Sequence, residues 1–144
     1  MAADDALLET RPDIGRAESN FPQYKLQGPG PRVMGASTLN GDSVLNDADD
    51  KLGEVKEIMI DVASGRVAYA VMSVGGLLGL GEKLFAIPWS ALQLDPAHKC
   101  FRMDADREFF KNAPGFDKDH WPSMADETWA RRVYTYYGAI PYWE

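Results

Sequence analysis

The sequence predicts a mainly β fold: a small antiparallel sheet that curls into a barrel or packs under helices, followed by a helical C-terminal extension. Three observations carry this. Between about Val33 and Met103, β-branched and aromatic runs are broken at short intervals by turn signals, at Asn40-Gly41-Asp42, Asn46-Asp47-Ala48-Asp49-Asp50, Ser64-Gly65, the Gly75 to Gly81 loop and Asp95-Pro96-Ala97-His98. No crossover helix separates the five or six short strands so defined. From Asp104 onward the pattern turns helical, interrupted at Ala113-Pro114-Gly115. So few strands bury a core only by closing on themselves or by lying under a cover, and closure also removes exposed edges.

Taken in order, residues 1–32 scatter charges of both signs without periodicity, and Gln27-Gly28-Pro29-Gly30-Pro31 breaks helix and strand alike. A loose arm is expected there, with at most a transient turn at Ala6 to Glu9. Lys51 to Val62 admits two readings, because Leu52, Val55, Met59 and Val62 also make a helical stripe. Strand is preferred: Gly53 weakens a helix, Ile58 and Ile60 alternate, and the change of spacing near Lys56-Glu57 is what a β-bulge produces. In Arg66 to Val74, Val67, Tyr69 and Val71 fill one face and Ala68, Ala70 and Met72 the other, so both faces should be buried. Lys83 to Pro88 alternates in the same way, and Pro88, lacking a donor, should end the strand or sit at an edge. Leu92 to Asp95 and Cys100 to Met103 flank Pro96-Ala97-His98-Lys99 and read as a hairpin. Asp104 is the expected N-cap of a short helix through Asn112. A second helix should run from Ala125 or Asp126 to Tyr137, with Trp129, Val133, Tyr136 and Tyr137 on its apolar face and Gly138 at its exit.

The 144 residues suit one domain with a sizeable core. Fifteen Lys and Arg stand against 22 Asp and Glu, a net charge of -7, so a broad phosphate-binding surface is disfavoured and nucleic acid is not expected as a partner. Cys100 is the single cysteine, which excludes an intrachain disulfide and a multi-cysteine metal site and fits a reducing cytoplasm. Met1-Ala2-Ala3-Asp4-Asp5 lacks the basic and apolar regions of a secretory signal. Val67 to Leu80 falls short of the roughly 20 apolar residues that cross a bilayer. A cytoplasmic protein without a transmembrane segment is expected.

Motifs that could carry chemistry fail on their spacing. In Gly75-Gly76-Leu77-Leu78-Gly79-Leu80-Gly81-Glu82-Lys83, Glu82 stands where a phosphate-binding loop needs lysine, and the next segment reads as strand. Counted as a calcium loop from Asp47, the fifth, sixth and twelfth positions are Lys51, Leu52 and Ile58, where an oxygen ligand, glycine and glutamate belong. His98, Cys100 and His120 are too few and too dispersed for a structural zinc site. Neither Ser73 nor Ser90 lies in a nucleophile elbow. Arg131-Arg132-Val133-Tyr134-Thr135-Tyr136-Tyr137 mixes cations with aromatic rings as single-stranded nucleic-acid binders do, but Glu127 sits one turn before Arg131 and aromatics at this spacing suit a core. No catalytic residue, cofactor or metal ligand is assigned.

The ordered series Leu52-Gly53-Glu54-Val55, Ile58-x-Ile60-Asp61, Gly65-Arg66-Val67-Ala68-Tyr69-Ala70-Val71, Gly75 to Gly81 and Lys83-Leu84-Phe85-Ala86-Ile87-Pro88-Trp89 resembles the PRC-barrel family. That family takes its name from the cytoplasmic domain of the photosynthetic reaction centre H subunit and includes the C-terminal domain of the ribosome maturation factor. The resemblance implies a six-stranded antiparallel β-barrel over residues 33–103, between an arm at 1–32 and a helical, aromatic-rich extension at 104–144. The extension, with Phe116-Asp117, Trp121-Pro122, Tyr136-Tyr137-Gly138 and Pro141-Tyr142-Trp143, looks like one found in stand-alone bacterial members. The family acts through protein contacts and shares no catalytic motif.

The expectation is therefore a non-enzymatic protein-binding or assembly module, docking an unidentified protein partner and forming a homodimer. Its contact residues would be Leu77, Leu78 and Leu80 in the glycine loop, with Tyr134, Tyr142 and Trp143 in the extension, because one helix face leaves these aromatics over. An RNA- or ribosome-linked factor and a ligand-binding or enzymatic protein with a pocket between barrel and tail are the alternatives.

Overall fold

The structure is a computed structural model that describes residue 33, residues 35–75 and residues 82–144. Six strands follow in order: β1 (Ser43–Leu45), β2 (Lys51–Asp61), β3 (Arg66–Val74), β4 (Lys83–Pro88), β5 (Gln93–Asp95) and β6 (Cys100–Arg102). One helix, α1 (Glu127–Tyr137), comes after them. The sheet order is β4-β3-β2-β1-β6-β5. Alternation along β3 and β4 sorts side chains into two layers. Ala70, Met72, Val74, Phe85 and Ile87 join Val44, Leu52, Val55 and Phe101 in a core enclosed by the curled sheet. Tyr69, Val71, Leu84 and Ala86 face outward and form a second core with Phe116, Val133 and Tyr134. Both faces of β3 are buried as expected.

The expected closed antiparallel barrel is corrected on two counts. β1 pairs with β6 in parallel, and β4 and β5 share no ladder, so the sheet is mixed and stays open. Connectivity explains this. β1–β2, β2–β3, β3–β4 and β5–β6 are antiparallel, so the parallel β1–β6 pair requires β4 and β5 to run in the same sense. The 3-10 turn Trp89–Ala91 between them is therefore a corner that keeps the chain's direction, where a hairpin would reverse it. Trp89 holds that corner against Phe101, ring centroids 5.8 Å apart.

β2 shows the expected bulge, a register shift against β3 between Val55 and Glu57, and a second shift between Met59 and Ile60. Pro88 both ends β4 and lies on an edge strand. The short helix expected from Asp104 to Asn112 is instead a 3-10 turn, Arg107–Lys111, capped by Asp106, whose side chain accepts from the Phe109 amide.

A polar staple ties the β5–β6 hairpin to the turn after β1. Arg102 Nε donates to Asp95 Oδ2 at 2.9 Å, and Arg102 also reaches the Asn46 carbonyl at 2.7 Å and Asp49 Oδ1 at 2.6 Å. Burial alone would raise the Asp95 carboxyl, but hydrogen bonds from Arg102 and His98 outweigh it and hold Asp95 below its ordinary value. A carboxylate more acidic in the folded than in the unfolded chain adds stability at neutral pH, which is lost as pH falls through the folded value. Urea denaturation at about pH 6 and about pH 2 should therefore show a larger loss for the wild type than for Asp95→Asn. Equal losses would show that Asp95 is not held in this way.

Candidate interaction surface

The C-terminal extension is built onto the outer face of the sheet. Asp126 caps α1 by accepting from the amides of Thr128 at 2.8 Å and Trp129 at 3.3 Å. Gly138, left-handed at φ 66°, ends it, a conformation that favours glycine. Ala130, Val133 and Tyr134 are the buried residues of the helix, while Trp129, Tyr136 and Tyr137 are half-buried. The Tyr134 ring lies 5.4 Å from Tyr69 and 5.5 Å from Trp143, and its hydroxyl donates to the Ala68 carbonyl at 3.0 Å. Burial pushes the Tyr134 hydroxyl up to about 12.

Beyond Gly138 the chain folds back as a strap. Tyr142 donates its hydroxyl to Asp61 Oδ2 at 2.8 Å, and Arg66 donates to the Tyr142 carbonyl at 2.7 Å. The Tyr142 hydrogen bond, joined by amides of Ser64 and Ala63, keeps Asp61 below the usual carboxylate range. Arg131 pairs with Glu127 at 2.9 Å and Glu144 at 3.2 Å, its guanidinium 5.6 Å from the centre of the Trp143 ring. Of the three aromatic residues expected at an interface, Tyr134 is 2% exposed, while Tyr142 and Trp143 are half-buried against their own chain. Leu77, Leu78 and Leu80 lie outside the described residues.

What the extension leaves open is a groove of about 560 Å³ lined by Asn112, Pro114, Arg131, Arg132, Thr135 and Tyr136. Two features make its wall. Phe116 exchanges backbone hydrogen bonds with Leu84, at 2.8 and 2.9 Å, and so pins residues 112–116 beside the helix. Phe109 packs against Tyr136 at 4.8 Å and accepts the Tyr136 hydroxyl at its carbonyl. Arg131 is neutralised by Glu127, as its spacing predicted. Arg132, exposed on the same groove, has no ion-pair partner among the described residues. Sequence reasoning weighed Arg132 and Tyr136 in one stretch and set them aside; Asn112 and Pro114 meet them only through the Phe116–Leu84 contact.

The sequence's few chemistry-bearing residues are not gathered into a centre. His98 Nδ1 lies 2.9 Å from Asp95 Oδ2 at the surface, Cys100 is buried with its thiol pushed up by burial, and His120 lies 3.9 Å from Asp117. Among the described residues no three His, Cys, Asp or Glu side chains could share a metal ion. Among the same residues no helix is long and apolar enough to cross a membrane.

Comparison with known proteins places these observations. The PRC-barrel domain profile matches residues 31–109. Among solved structures, a 16S ribosomal RNA processing protein, RimM, from Pseudomonas aeruginosa matches at 24% identity and a TM-score of 0.32, over 54% of this chain and 49% of its own length. The chain thus spans about half of that protein. Curated proteins gave no match. The expectation that nucleic acid is no partner is withdrawn: it rested on a net charge averaged over the whole chain, which does not describe a groove that carries Arg132.

Proposed function

The chain belongs to the PRC-barrel domain family, and on that premise we propose that it is a non-catalytic docking module whose groove along α1 receives a segment of a protein partner. The observation that carries this reading is the pairing of an apolar groove with an exposed guanidinium, Arg132, that no side chain among the described residues neutralises. An acidic side chain flanked by apolar ones fits there: the apolar part is buried against Pro114 and the stem of Tyr136, and the carboxylate meets Arg132. The same guanidinium and tyrosine favour a second reading, an RNA- or ribosome-linked factor that stacks a base in the groove and contacts phosphate through Arg132.

Affinity purification of the tagged chain from its native cell, with and without nuclease, tests both readings in one design with Arg132→Glu. Arg132 is exposed and has no ion-pair partner among the described residues, so its replacement should leave stability within about 0.5 kcal/mol. A partner kept after nuclease and lost with Arg132→Glu is the expected result. A partner lost on nuclease treatment moves the function to RNA. Capture that survives both treatments removes the groove from the interface.

A further inference from the structure

We propose that the outer half of β2, Lys56 to Asp61, is a strand-addition site that takes an extended segment of alternating apolar and basic residues. β1 pairs with β2 only at Lys51, Gly53 and Glu54, whereas β3 follows β2 from Glu54 to Asp61. The last main-chain contact on the β1 side is at Val55, which exchanges hydrogen bonds with Gly41 and Asp42. Past that point β2 has a strand on one side alone among the described residues.

The ladder shows which groups face the open side. Tyr69 lies opposite Pro88 of β4, and proline has no N–H to exchange, so the main-chain groups of Tyr69 are directed to β2, where Met59 is their partner. Antiparallel pairs alternate between bonded and non-bonded, so neighbouring Ile58, opposite Ala70, turns its amide away from β3. Its donor finds a substitute: the Ile58 amide donates to Oε1 of the adjacent Glu57 at 3.2 Å. A partner strand's carbonyl would take that amide and release the Glu57 carboxylate for a cation.

Charge and apolar exposure define the occupant. Glu57 and Asp61 flank the edge, Asp42 precedes it, and Lys56 is the one cation on the segment. Ile60 is 50% exposed and Val62 just beyond it 92%, while Ile58 still touches the inner core. An extended segment with apolar residues over Ile60 and Val62 and a lysine or arginine toward Glu57 fits this edge, with Asp61, whose carboxylate already accepts the Tyr142 hydroxyl, adding negative charge at its end; main-chain bonds supply the affinity and side chains the selectivity. The site lies on an edge separate from the α1 groove, and the two proposals stand or fall separately.

The test uses the full chain and a labelled synthetic peptide of alternating valine and lysine, read by fluorescence anisotropy and by hydrogen exchange at the Ile58 amide. The expected result is saturable binding that protects Ile58, weakens at least about tenfold with Glu57→Lys, and disappears when alternate peptide amides are N-methylated. Methylation leaves the charge unchanged, so equal binding by the methylated peptide would reduce the effect to non-specific attraction and overturn the proposal. Absence of binding would overturn it too, marking Lys56, Glu57 and Asp61 as charges that keep the edge solvated. Light scattering covers the rival occupant: a dimer that Glu57→Lys dissociates would assign the edge to a second copy and reject the peptide.

Discussion

Gly53→Ala should cost the protein about 3 kcal/mol, a fall of roughly 10 °C in Tm for a chain of this size. A β-carbon on Gly53 would lie 2.3 Å from the Ser73 carbonyl oxygen and 2.8 Å from Met72 Cγ. The methionine can rotate away, but the carbonyl belongs to the backbone of β3, whose residue Ser73 is paired with Glu54. Relief therefore requires β2 and β3 to separate where they enclose the core, with loss of packing around Leu52, Val55 and Met72. Gly35→Ala is the matched control, since its β-carbon would meet only Ser37 Oγ at 3.8 Å. Thermal denaturation followed by circular dichroism should show a large shift for the first variant and almost none for the second. Equal shifts would mean that β3 does not pass Gly53 so closely.

Tyr134→Ala should be of similar or greater severity, about 3–5 kcal/mol, because truncating a buried aromatic loses its transfer energy and leaves a cavity. Tyr134 is where the helix, the strap and the sheet meet: its ring contacts Tyr69, Tyr142 and Trp143, and its hydroxyl serves the Ala68 carbonyl. That carbonyl lies just past the point where β4 ends at Pro88 opposite Tyr69, so β4 does not extend to bond it. Tyr134→Phe separates the two contributions. It keeps the ring and orphans the carbonyl, and should cost about 1 kcal/mol. Urea unfolding of the three proteins should rank them wild type, Phe, Ala. A near-neutral Tyr134→Ala would sink the description of the extension as part of the core.

The candidate surfaces were legible only in part. Glu127 neutralises Arg131 at helical spacing, and that pair was readable because both partners lie within one turn. Whether Arg132 had a partner depended on which acidic residues other elements bring near, and the groove's far wall comes from Asn112 and Pro114. The open edge of β2 was equally hidden: a long run of strand residues does not reveal that β1 accompanies it for only three paired positions.

What the sequence determined by itself is what local physics controls. Alternation along Arg66–Val74 and Lys83–Pro88, the bulge near Lys56-Glu57, the second helix ending at Tyr137 and its Gly138 exit each rest on residues within a few positions of one another, and each is found in the structure. The ordered motifs between Leu52 and Trp89 likewise sufficed to identify the family. Tertiary structure alone decided the rest. The sense of β6 against β1 depends on whether the corner at Trp89–Ala91 reverses the chain, and backbone propensity there permits either outcome. Tyr134 and Tyr136 could each have faced the core, because α1 carries aromatic residues on several sides. The rotation that buried Tyr134 was set by Tyr69 and by the unpaired Ala68 carbonyl, far away in sequence, since a buried donor and acceptor must find each other whatever their separation along the chain.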